Sequence, residues 1–176
     1  MTDHTLSNWE LLRIYLNQPE YIHVVLHGLP VYGLGFAALA MVVALFLGRE
    51  GSRKAEMVAL VLVLVGALSA WPVAHYGGEA YDRVSTMADV DKVGLEWLDA
   101  HMDRVDAVMW LFWTTAGLAA LALVLPVKWS ALRRPLFFLT LAGAVAASGA
   151  GGWIAYAGGK IRHKEFRHTP PPVTKQ

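Results

Sequence analysis

Apolar positions along the chain fall into four long blocks, and polar positions into the two ends and the short connections between blocks. The blocks are Val24–Gly48 (VVLHGLPVYGLGFAALAMVVALFLG), Met57–Tyr76 (MVALVLVLVGALSAWPVAHY), Val105–Val127 (VDAVMWLFWTTAGLAALALVLPV) and Pro135–Gly159 (PLFFLTLAGAVAASGAGGWIAYAGG). Asp106 is their only acidic or basic residue. At about 1.5 Å per residue, a helix of about 20–25 residues crosses a hydrocarbon layer about 30 Å thick. A helix is expected because it pairs its own backbone groups, each of which costs several kcal/mol if left unpaired in lipid. The predicted fold class is all-α, a four-transmembrane-helix bundle with both termini on the same side.

Four crossings divide the polar segments into two sets. Side A receives the N-terminal segment 1–20, the connection 77–104 and the basic, Pro-rich tail 161–176; the membrane domain spans 21–160. Side B receives REGSRKAE (49–56) and KWSALRR (128–134). Arg49, Arg53, Lys54, Lys128, Arg133 and Arg134 crowd these two short loops, which favours side B as the cytoplasm and side A as periplasmic. The basic cluster Lys160, Arg162, Lys164 and Arg167 on side A pulls the other way. In the first segment, NWELLRIYL predicts a short interfacial helix with Trp9 and Tyr15 at headgroup level. From Asp89 onward, helical spacing puts Val93, Trp97, Ala100, His101, Arg104, Val105 and Val108 near one face, so the third helix is predicted to begin outside the lipid and enter it without a break. The sequence after His168 reads as a disordered tail.

Composition sharpens the same picture. Of 176 residues, 56% are apolar and 16% charged, which leaves too little polar surface to cover a soluble bundle of four such helices. The first block is too long for a signal-peptide core and lacks both a basic n-region and an obvious small-x-small cleavage site, so it is expected to stay attached. With no cysteine, disulfides, thiolate metal sites, c-type haem attachment and cysteine catalysis are excluded. A formal net charge of +1 gives no reason to expect a nucleic-acid partner. Gly33, Gly35 and Ala37, Gly66 and Ala70, and Gly143, Ala147 and Gly151 are small residues placed to let helices approach closely in lipid.

Candidate chemistry rests on histidine. His4, His23, His27, His75, His101, His163 and His168 all map to side A, and none to side B. His23 and His27 share one helix face at i and i+4, so the two cannot grip a single iron from opposite sides. For a haem b, His27 would pair with His75 or His101, the ring resting on Trp71, Gly28, Tyr76 and Trp110 and its propionates meeting Arg104, Lys160 or Arg162. For a non-haem ion, His23 and His27 with His75 or His101 offer three imidazoles to Cu, Fe or Zn. No HExxH motif is present, because Val24 follows His23. The plainer alternative is that interfacial histidines only bond neighbouring helices, beside the usual Trp and Tyr belt.

Two segments resemble a widespread family of four-helix bacterial inner-membrane proteins that has no settled activity. Its first helix opens on a pattern like LHPxxVHFP, which IHVVLHGLP resembles through His23, His27 and Pro30; Val24 replaces the first proline, and one extra residue separates His27 from Pro30. Its third helix often opens on a histidine ahead of an apolar run, as His101 does here. Its last helix ends on a Gly-Gly-x-Leu-Val-Tyr-x-His-Gly pattern, which GGWIAYAGG resembles, with Gly158 where the family histidine stands. The resemblance implies the four-helix fold and the inner membrane. In architecture the chain also resembles four-helix b-type membrane cytochromes, which implies electron transfer between a quinone pool and a soluble partner. The expectation carried forward is a haem b electron-transfer protein or redox-complex subunit rather than a stand-alone enzyme. The alternatives are a non-haem metal protein and a cofactor-free subunit of a larger membrane complex. The acidic stretch Asp89–Asp106 is either a docking surface for a basic redox protein or a solvated loop.

Overall fold

The computed structural model describes residues 7–47 and 49–172, with the side chains of 49–51 excluded. His4 and the last four residues of the expected disordered tail lie outside the described residues.

Helix α1 (Asn8–Leu16) starts at a reciprocal cap in which Ser7 Oγ accepts the Glu10 amide and Glu10 accepts the Ser7 amide. Such a pair satisfies two donors that a helix start otherwise leaves unpaired. None of its residues is buried against the bundle. Four longer helical segments follow, Pro19–Phe46, Ser52–Ser85, Lys92–Val127 and Ser130–Arg162, of 28, 34, 36 and 33 residues, each long and apolar enough to cross a membrane.

The first span consists of α2 (Pro19–Leu26) and α3 (Leu34–Phe46), joined by a wide helical turn at Leu29–Gly33. Pro30 lies in that turn, where its missing N–H prevents an ordinary i to i−4 bond. The Val31 carbonyl in the same turn accepts a bond from Ser148 Oγ at 2.8 Å. The second span is α4 (Arg49–Leu68) and α5 (Ala70–Ser85), which meet at Ser69, whose hydroxyl turns back to the Gly66 carbonyl. Pro72, four residues after Leu68, cannot donate across this junction. Helix α6 (Lys92–Val124) is continuous for 33 residues, capped by the Asp91 carboxylate on the Gly94 amide. It therefore enters the apolar block without a break, as its spacing predicts. Of the expected connection 77–104, only 86–91 is non-helical. Helix α7 (Arg133–Arg162) forms the last span.

The spans pack as an up-and-down bundle in chain order, with the first also against the last. Small residues fill its centre: Ala37, Ala59, Ala119, Ala144 and Ala147 are buried around Leu34, Met41, Val63 and Phe137. A Cβ on Gly143 would stand 2.9 Å from Thr115 Oγ1, and one on Gly66 3.2 Å from the Leu34 side chain. Close backbone approach supplies the packing that lipid cannot drive by a hydrophobic effect. Large apolar residues such as Phe36, Phe46, Val58 and Leu139 face outward, as they must where the solvent is lipid. At the side B end, Arg133 makes two bonds of 2.7 and 2.8 Å to buried Glu56, joining α7 to α4.

Candidate functional site

At the side A end, three imidazoles from two spans meet. Helix α2 packs against α5 and supplies His23, with His27 at its C-terminal cap. The His23 ring lies 6.5 Å from that of His27 and 6.1 Å, edge-on, from that of His101 on α6.

Each ring is anchored in the same way. His23 Nδ1 lies 2.8 Å from the Val73 carbonyl, His27 Nδ1 2.7 Å from the Val24 carbonyl, and His101 Nδ1 3.1 Å from the Ile154 carbonyl. A carbonyl oxygen only accepts, so the bonding assigns the hydrogen to Nδ1 in all three and leaves Nε2 of each neutral ring with a lone pair. Two glycines make room for these rings. A Cβ on Gly77 would stand 2.8 Å from His23 Nδ1, and one on Gly158 3.2 Å from the His101 ring. Gly158, the departure from the family pattern, thus occupies a position where a larger residue would press on a histidine.

The three histidines line a cavity of about 60 Å³ together with Pro30, Met109 and Phe112. All four spans contribute to its wall, α5 through Ala70, Val73 and Ala74 and α7 through Gly151 and Ile154. No carboxylate lines it among the described residues. A cavity of this size holds a small ion or a few waters. Among the described residues, no three His, Asp or Glu side chains are close enough as folded to hold a metal ion between them.

His75 is not brought to this cluster. It is exposed on the outer face of α5, stacked on Trp71 at 5.6 Å and 3.5 Å from Glu79. Helical spacing accounts for this: Ala70, Val73, Ala74 and Gly77 form the inward face, whereas Trp71, His75 and Glu79 follow the opposite stripe. Trp110 is likewise exposed, its indole N–H bonded to the Ala107 carbonyl. His163 pairs with Glu165 at the surface. The chamber as folded is small beside a haem b. A porphyrin is a drug-sized ligand or larger, and such ligands occupy about 300–1,000 Å³; of its two proposed partners for His27, only His101 shares the chamber.

Arg104, Lys160 and Arg162 also differ from propionate anchors. Lys160 is 1% exposed, with Nζ 2.7 Å from the Tyr156 hydroxyl, 3.1 Å from Thr169 Oγ1 and 4.2 Å from the Trp97 ring centre. Arg104 donates to the Trp153 carbonyl at 2.6 Å and lies over the Trp153 ring. Arg162 pairs with Asp89. Sequence reasoning missed the Lys160 box, although Trp97, Tyr156 and Lys160 were visible; Tyr156 and Lys160 lie at i and i+4, but their meeting with Trp97 is a tertiary fact.

The tail is anchored as well. Arg167 bonds the Lys160 and Ile161 carbonyls and the Asp91 carboxylate, and Lys164 joins the same carboxylate. The Gly94 amide first, and then the Arg167 guanidinium, hold the Asp91 carboxyl down at about 2.

Scanned against family models, curated proteins and solved structures, the chain matches none. The likeness carried by IHVVLHGLP and GGWIAYAGG is therefore one of short motifs.

Proposed function

We propose that this is a membrane metal-binding protein in which His23, His27 and His101 hold one first-row transition-metal ion near the side A face. The observation that carries the reading is the common anchoring of the three rings: each Nδ1–H is held by a main-chain carbonyl, and all three residues line one otherwise apolar chamber. Protein metal sites use this arrangement to fix the tautomer and orientation of a ligating imidazole. Imidazole suits copper, iron and zinc, and the thioether of Met109 in the same wall favours copper. Binding would draw the three rings together from their present spacing.

A bound copper or iron ion supplies one-electron chemistry, and a quinone or a soluble redox protein is then the natural partner. The chain's own contribution is to orient the imidazoles, keep carboxylates out and exclude bulk water. The chamber is assigned to the periplasmic face of a bacterial inner membrane because Arg53, Lys54, Lys128, Arg133 and Arg134 gather at the other end, as short cytoplasmic loops do.

Electronic and paramagnetic resonance spectra of the purified protein, oxidised and reduced, test the reading. We expect no Soret band and, after loading with copper, one nitrogen-coordinated Cu(II) signal per chain that disappears in His101→Ala. A reduced Soret band lost in His27→Ala would replace this reading with haem b. Absence of both signals would leave only a packing subunit.

A further inference from the structure

We propose that Arg104, backed by Lys160 and Tyr156, forms a phosphate-binding site at the side A face, occupied by the phosphodiester of a phospholipid. The site is separate from the histidine chamber and does not depend on a metal. Arg104 stands where the apolar block of α6 begins. Its guanidinium lies 4.5 Å from the Trp153 ring centre, 5.8 Å from that of Tyr156 and 5.9 Å from that of Trp97. Of its five N–H groups, one bonds the Trp153 carbonyl. The rest have no protein acceptor among the described residues.

The charge balance is the unusual feature. Lys160 is sealed behind Tyr156 and Trp97, and no carboxylate lies within 4.0 Å of either cation among the described residues. The adjoining Trp97 is 2% exposed, and its indole N–H has no partner. The cluster thus offers two positive charges and spare donors but no anion. Elsewhere on the same face, Arg83, Arg162, Lys164 and Arg167 all have carboxylate partners.

A planar guanidinium with free N–H groups matches phosphate oxygens in a forked geometry, and its face is already used by aromatic rings. The access route selects the source of the phosphate. Trp153 and Tyr156 are half-exposed on the outer surface of α7, beside which lipid headgroups lie, so the donors open toward the bilayer rather than into the chamber. Lys160, closed off from contact, contributes charge through the phenol it bonds.

The test uses the purified full-length protein in detergent, titrated with phosphatidylglycerol, phosphatidylcholine or inorganic phosphate, with native mass spectrometry counting bound molecules. Wild type should hold one phosphatidylglycerol tightly. Arg104→Gln should weaken it about tenfold or more, the cost of losing charge-assisted bonds. Arg104→Lys, which keeps the charge and loses the fork, should weaken it a few-fold and serves as the measure if Arg104→Gln fails to fold. Arg162→Gln, a neighbouring cation paired with Asp89, should leave it unchanged. Arg104-dependent binding of inorganic phosphate with no lipid retained would overturn the lipid source. Equal retention by wild type and both Arg104 variants would overturn the site.

Discussion

Arg167 closes the C-terminal segment over two helix ends with one side chain. Its Nε and Nη2 donate to the Lys160 and Ile161 carbonyls at 2.7 and 2.6 Å, groups that the end of α7 would otherwise leave unpaired, and Nη1 donates to Asp91 at 2.6 Å. Gly94 is part of the same joint, since a Cβ there would stand 2.5 Å from the Ile161 carbonyl. Arg167→Ala should lower stability by about 1–3 kcal/mol, the range for hydrogen bonds made by a charged group, read from thermal unfolding; an unchanged melting temperature would show that the strap is idle. The Asp91 carboxyl, held at about 2 against an ordinary 3.8, fixes the sign of the pH effect. A lowered carboxylate stabilises fully above its ordinary value, and that contribution fades as pH falls below about 4 and is gone once pH has passed below about 2. The carbon resonance of the Asp91 carboxyl should titrate with a midpoint near 2; a midpoint near 4 would contradict the clamp. None of this was legible in the tail sequence, where Arg167 reads only as one more basic residue, because the carboxylate that selects it, Asp91, lies 76 residues away.

At the scale of elements, the chamber depends on where helices touch rather than on histidine spacing alone. The i, i+4 pair His23 and His27 was legible from α2, as was the level of His101, because antiparallel crossings convert position into depth. His75 is at the same level but on the wrong stripe of α5, opposite the inward-facing Ala70, Val73 and Ala74. The wide turn at Pro30 follows from its missing N–H rather than from the hydropathy pattern. Glycine roles emerged from packing: Gly77 and Gly158 leave room for the rings of His23 and His101. In an exposed helix, Gly→Ala is favoured by about 1 kcal/mol, so Gly77→Ala should keep its helix while pressing His23 away from the Val73 carbonyl. Copper affinity should then fall about 10–100-fold, the usual consequence of disturbing the groups that orient a ligand. Calorimetric titration measures it, and unchanged affinity would mean that His23 is not held as described.

For the molecule as a whole, the hydropathy pattern was sufficient for the architecture, because a medium without water permits few ways of pairing a backbone. The block edges were less legible: α5 and α6 run past their apolar blocks to leave only 86–91 non-helical, since capping by Asp91 and contacts such as the Tyr81 to Asp99 bond extend helices outside the lipid-sized runs. The absence of cysteine allows the topology to be tested directly. Single cysteines introduced for Asp89 and for Lys128 should be labelled by an impermeant maleimide from opposite sides of sealed vesicles; labelling of both from one side would contradict four crossings. The proposed occupant of the chamber is an ion rather than a porphyrin, and the decisive measurement is metal content. Elemental analysis of copper-loaded protein after exhaustive dialysis should give one copper per chain in wild type and His75→Ala, and less than a tenth of that in His101→Ala. Equal copper in wild type and His101→Ala would contradict the three-histidine chamber as the binding site.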